Sequence, residues 1–119
     1  MNIVLVFLGG GIGSVLRYGI ALGMGSFNPT FPYATLLANV LSCILLGSVA
    51  TLFLNETIST NARLFFITGI CGGFSTFSTF TNETFLLFQQ ENIALAFLNI
   101  LLNLALCFLG LYLGIKLIN

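Results

Sequence analysis

The chain has 119 residues, of which 58% are hydrophobic and 5% charged, with three Lys/Arg, three Asp/Glu and no histidine. A soluble domain carries about 25% charged residues to face water, so this composition, with a mean hydropathy of +1.12, excludes a water-solvated globule and specifies an integral membrane protein. Zero net charge without a basic cluster excludes nucleic-acid binding, and the lack of histidine removes the commonest general base and metal ligand.

Four apolar segments follow in chain order, at about 3–24, 33–54, 62–88 and 93–118. Each exceeds the ~20 residues that a helix needs to cross ~30 Å of hydrocarbon. The connectors GSFNPTFP, NETIST and QQEN supply Pro, Asn, Ser and Thr for turns and helix caps. The pattern predicts an all-α membrane protein, a single transmembrane domain over 1–119 with four membrane-spanning helices. Its place is the cell membrane, the inner one if the source is Gram-negative. The apolar run starts at Ile3 with no basic stretch before it, so no cleaved leader is expected.

The first helix holds Arg17 in GGGIGSVLRYG. An arginine inside a span costs about 2.5–3.5 kcal/mol on insertion scales. Two readings stand: the side chain snorkels to the nearby interface, or its charge draws an anion into a vestibule. Gly9, Gly10 and Gly13 leave room for another helix to approach closely.

The second helix places Thr35, Asn39 and Ser42 on one face. Such a stripe serves either interhelical hydrogen bonding or one wall of an ion path.

The third helix contains GGFSTFSTFT, residues 72 to 81, in an otherwise apolar run. Gly72 and Gly73 permit unusual backbone angles, and the Ser/Thr run can satisfy backbone groups freed by a break near the middle of the helix. A broken span is tolerated only where its backbone is buried in protein or lines a cavity, and its free carbonyls can hold a cation. Phe77 and Phe80 project to one side, with ring edges of positive partial charge that can face an anion. A small-residue packing face with bulky neighbours is the competing reading. Glu83 follows, either embedded or capping the helix end.

The fourth helix sets Asn99, Asn103 and Cys107 at four-residue spacing, so two amides share a face and need partners. Cys43, Cys71 and Cys107 have no metal-ligand spacing and read as small buried hydrophobes.

Charge gives little orientation. Arg63 and Lys116 fall on one side of the membrane, against Arg17 within the first helix, so the Lys/Arg bias that sets topology is nearly absent. The balance suits insertion either way up, as in an antiparallel dual-topology homodimer, and also suits a single weakly biased topology.

These residues together resemble the Fluc-type fluoride channels, also called the CrcB family, along the whole chain. The first helix matches G-G-x-x-G-x-x-x-R-Y at Gly9, Gly10, Gly13, Arg17 and Tyr18. The second matches T-L-x-x-N at Thr35, Leu36 and Asn39. The third matches G-G-x-[ST]-T-F-S-T-F from Gly72 to Phe80. Ala34 and Ser42 stand where the family more often has glycine, Ser75 where it has threonine, and Asn99 and Asn103 where hydroxyl residues are common.

The resemblance implies an antiparallel, dual-topology homodimer with two pores that export fluoride passively down its electrochemical gradient, with no enzyme chemistry. It implies that Phe77 and Phe80 box the ion and that Asn39 lines the pore as a donor, with Ser78 or Thr79 nearby and Thr35 and Asn103 on the polar track. It places Arg17 and Glu83 at the vestibule and pore end. It also implies a structural sodium ion at the dimer centre, held by main-chain carbonyls of Gly72 and Ser75 from both subunits. One subunit of a heterodimeric fluoride channel is the alternative. A small proton-coupled multidrug exporter is a weaker one, since such proteins need a carboxylate in the first helix, which here has none.

Overall fold

The computed structural model describes residues 1–25 and 30–119; residues 26–29, half of the first connector expected from sequence, lie outside the described residues. The described residues are helical, without strands. Four helical segments are long and apolar enough to cross a membrane: Asn2–Met24, Tyr33–Leu54, Thr60–Gln89 and Ile93–Ile118.

We label Asn2–Met24 α1 and Tyr33–Leu54 α2. The third span is two helices. α3 covers residues 60–74, with a π-helical stretch, Leu64–Cys71, between the α-helical turns Thr60–Arg63 and Gly72–Phe74. α4 is Phe77–Gln89, and α5 is Ile93–Ile118. Between α3 and α4 the chain is extended, at Ser75 (φ −80°, ψ 154°) and Thr76 (φ −149°, ψ 120°).

The break therefore falls just after the glycines on which the sequence places it. Gly72 is helical (φ −62°, ψ −36°). Thr76 restarts the helix: its Oγ1 accepts the Thr79 N–H at 3.1 Å as an N-cap.

Close approach is what the glycines provide. A Cβ on Gly73 would collide with the Gly10 carbonyl, one on Gly13 with the Ile70 carbonyl, and one on Gly9 with the Phe65 carbonyl. α1 thus lies backbone to backbone against α3, as small residues allow in membranes. A second pair, α2 against α5, is built the same way: a Cβ on Gly47 would strike the Leu111 carbonyl and one on Gly114 the Ile44 carbonyl. These are the two most extensive helix pairings.

Little of the apolar surface is covered within one chain. α1 buries only Gly9 and Gly13, while Ile3, Phe7 and Val15 are exposed. Hydrocarbon, or another protein surface, must cover that face.

Two loops close alike. Glu56 (φ 56°) and Glu91 (φ 61°) take the left-handed position. The next residues, Thr57 and Asn92, donate back to Leu52 and Leu87, both at 2.9 Å, which ends each helix in a Schellman turn.

Candidate functional site

Breaking a transmembrane helix leaves backbone groups that water cannot satisfy. Here a side chain from α2 meets two of them, both on Thr76. Asn39 Oδ1 accepts the Thr76 N–H at 2.8 Å, and Asn39 Nδ2 lies 3.4 Å from the Thr76 carbonyl. The same Nδ2 donates to Asn103 Oδ1 at 3.1 Å.

From there a buried ladder runs across three helices. Asn103 Nδ2 donates to the carbonyl and Oδ1 of Asn99, both at 2.9 Å. Asn99 Nδ2 donates to Thr84 Oγ1 at 2.9 Å, and Thr84 Oγ1 donates to the Phe80 carbonyl at 2.8 Å. Asn99 is only 1% exposed. Each buried amide is thereby partnered, as polar groups in a low-dielectric interior require.

The diverted donors leave two carbonyls free of their usual helical partners. Had the helix continued, the Thr76 N–H would have reached the Gly72 carbonyl and the Thr79 N–H the Ser75 carbonyl. Those N–H groups go instead to Asn39 Oδ1 and Thr76 Oγ1. The carbonyl next to Gly72, that of Gly73, receives Arg17 Nε at 3.1 Å. Arg17 is thus a half-buried donor to the end of α3, a contact distinct from both snorkelling and a free vestibule charge.

Beside the break opens a groove of about 340 Å³, lined by Asn39, Asn103, Ser75, Thr76, Phe77 and Phe80 together with apolar residues of α2 and α5. Phe77 and Phe80 lie with ring centroids 5.5 Å apart, tilted by 42°. Phe77 is 78% exposed, so within one chain the pair forms an open wall, not a closed box.

The remaining expected residues divide. Thr35 is buried and donates to Glu83 Oε1 at 2.8 Å, tying α2 to α4 one turn from Asn39. Glu83 Oε2 is buried with no partner among the described residues. Ser78 and Thr79 lie away from the groove lining, in a hydroxyl cluster around Thr76 Oγ1 at 3.2 and 3.1 Å. Ser42 Oγ donates to the Cys71 carbonyl at 3.2 Å. Thr84 was missed from sequence, and Asn99, read there with Asn103 as an amide that needs partners and could serve an anion path, lies inside the ladder and off the groove lining. The spacing of Asn99 and Asn103 signalled their common face, but nothing in TNETF singled out Thr84.

Comparison with known proteins agrees with the quoted motifs. Residues 4–115 match the family described as CrcB-like protein, Camphor Resistance (CrcB). A protein named fluoride-specific ion channel FluC from Elusimicrobium minutum (strain Pei191) is 44% identical over 116 residues, covering 94% of this chain and 89% of that protein. Its namesake in Shewanella frigidimarina (strain NCIMB 400) is 45% identical over 118 residues, covering 98% and 95%. That in Shewanella sp. (strain ANA-3) is 44% identical over 118 residues, with the same coverage.

Proposed function

This chain belongs to the CrcB-like family, and on that premise we propose that it is a fluoride channel of the cell membrane, working as an antiparallel homodimer that lets fluoride leave the cell down its electrochemical gradient. The observation that carries the reading is the pairing of the exposed Phe77 ring and its neighbour Phe80 with the amides of Asn39 and Asn103 around one groove.

Fluoride is small and strongly hydrated, so a path must replace its water with N–H and O–H donors. Asn39 Nδ2 can turn toward an anion at the cost of its longest hydrogen bond, the 3.4 Å contact to the Thr76 carbonyl. Ser75 and Thr76 add hydroxyls on the same wall. The ring edges of Phe77 and Phe80 attract the ion without a strong bond, which suits conduction, where an ion must enter and also leave. Two such paths, one per subunit orientation, are compatible with the near absence of a Lys/Arg bias.

The second copy has a physical argument of its own. The wall made by Phe77 is open within one chain, and the face around Phe7, Gly10, Gly11, Thr68 and Gly72 forms a shallow groove without a partner among the described residues. The Gly72 and Ser75 carbonyls, freed as described, are neutral hard oxygens, a donor set that fits a hard monovalent cation such as sodium. If bound there between subunits, sodium would supply a fixed positive charge. The chain's own part is to free those oxygens, through Asn39 and the Thr76 cap, and to satisfy the intervening Gly73 carbonyl through Arg17. The first helix carries no acid, so nothing favours the exporter alternative.

The test is flux from vesicles. Purified chain in liposomes loaded with potassium fluoride is diluted into fluoride-free buffer with valinomycin, and an electrode follows release, with chloride run in parallel. Fast fluoride release without chloride release is expected. Phe80→Ile should abolish it while leaving the oligomer intact, and normal flux in that variant would sink the phenylalanine wall.

A further inference from the structure

Cys43 and Cys107 take no part in the polar ladder, yet the same helix register brings them together. α2 and α5 meet at Asn39 with Asn103, and eight residues farther along both helices Gly47 meets Leu111. Midway between those two contacts lie Cys43 and Cys107, one turn from each. The Cys43 thiol accordingly neighbours that of Cys107. Both are free and only partly buried, and both line the groove beside the ladder. Cys71 differs: it is buried and its S–H points to the Ser42 carbonyl at 3.6 Å.

We propose that Cys43 and Cys107 form a dithiol site, open to the groove, for a trivalent arsenical. The chemistry is a condensation. Each thiol gives its proton to the oxygen of an arsenoxide, the As–O bond breaks, two S–As bonds form and one water leaves, with arsenic trivalent throughout. Thiolate sulfur is the soft ligand that such a centre prefers. Two thiols held across one helix pair bind it jointly, because after the first bond the second is intramolecular. Leu104 and Phe108 give the groove an apolar wall that an aryl substituent would pack against. The adduct would tie α2 to α5 one turn from Asn39 and fill the groove. Binding follows from the thiol pair alone; block of fluoride release rests on the channel reading.

The experiment uses the full chain, reduced and folded in detergent, with phenylarsine oxide as the probe and intact mass as the first readout. One adduct per chain should survive excess β-mercaptoethanol and be removed by 2,3-dimercaptopropanol. It should be lost in Cys43→Ser and in Cys107→Ser and kept in Cys71→Ser. If a serine variant does not fold, Cys43→Ala or Cys107→Ala, which keep the wall apolar, takes its place. In liposomes the arsenical should cut fluoride release at least tenfold in the wild type and leave the release of Cys107→Ser at its arsenical-free rate. A monothiol-resistant adduct in either single variant, or none on the folded wild type, overturns the site. Absent fluoride release before any arsenical is added would instead count against the channel reading, and the mass readout would still decide the site.

Discussion

The Thr76 N–H donates to Asn39 Oδ1 at 2.8 Å, and through that one bond a residue of α2 holds open the break between α3 and α4. Asn39 also donates to Asn103, so a single side chain joins the break to the buried amide ladder.

Asn39→Ala should therefore damage fold and flux together. It leaves the Thr76 N–H and Asn103 Oδ1 without their partners in a buried setting, at about 1–3 kcal/mol for each group left unsatisfied. Asn39→Asp keeps the acceptor for Thr76 but sets a buried carboxylate against Asn103 Oδ1. The expected result is a lower melting temperature in detergent for both variants than for the wild type, with fluoride release down at least tenfold in both. An alanine variant that melts with the wild type would mean that the Thr76 bond contributes little.

Arg17 offers a separate test, because it reaches the break from α1 through Nε to the Gly73 carbonyl at 3.1 Å. Hydrogen bonds from charged donors contribute about 1.5–3 kcal/mol when buried, and this side chain is half-buried, so about 1 kcal/mol is expected for Arg17→Gln. Lysine lacks the planar fork and is no conservative replacement. Thermal unfolding in detergent should rank the wild type above Arg17→Lys and Arg17→Gln. A lysine variant as stable as the wild type would mean that charge alone, not the Nε contact, matters here.

How much of this was legible in the sequence differs by element. The four spans were readable because length and hydropathy alone fix them, as Tyr33–Leu54 illustrates. The stripes of Asn39 and Asn103 were readable within each helix, since spacing assigns a face. Their meeting was not, because the α2–α5 register is set by backbone contacts at Gly47 and Gly114, and glycine spacing alone does not say which carbonyl will lie opposite. A break near the middle of the third span was readable, but its exact residues were not. Gly72 and Gly73 signal weak helix propensity, but Gly73 acts here on packing, and the stop comes from the Thr76 cap and the Asn39 acceptor. The Arg17 contact could not be read before the break was located.

The two loop glutamates carry a stability prediction independent of any channel activity. Glu56 and Glu91 have φ of 56° and 61°, where a residue with a Cβ is disfavoured by roughly 1–2 kcal/mol. Glycine relieves that cost but has more unfolded-state freedom, worth about 0.5–1 kcal/mol. Glu56→Gly and Glu91→Gly should each stabilise the chain by roughly 0.5 kcal/mol, the difference between those two effects. Thermal unfolding in detergent measures it; a fall in melting temperature would mean that the carboxylates make contacts that outweigh the strain.

Glycine substitutions separate packing within the chain from packing between chains. A Cβ on Gly13 would collide with the Ile70 carbonyl and one on Gly73 with the Gly10 carbonyl. Backbone cannot step aside as a flexible side chain can, so Gly13→Ala and Gly73→Ala should each cost about 1–3 kcal/mol or more by overpacking. Gly19 has nothing among the described residues within 4 Å of the place a methyl group would take, and Gly19→Ala should be neutral or gain up to about 1 kcal/mol of helix propensity. Gly72 is equally open among the described residues, yet its carbonyl is one of those freed at the break. Gly72→Ala should keep full helicity by circular dichroism while raising the monomer fraction in light-scattering chromatography and reducing fluoride release. If Gly72→Ala remains as dimeric and as active as the wild type, the Gly72 Cα does not lie at a close subunit contact.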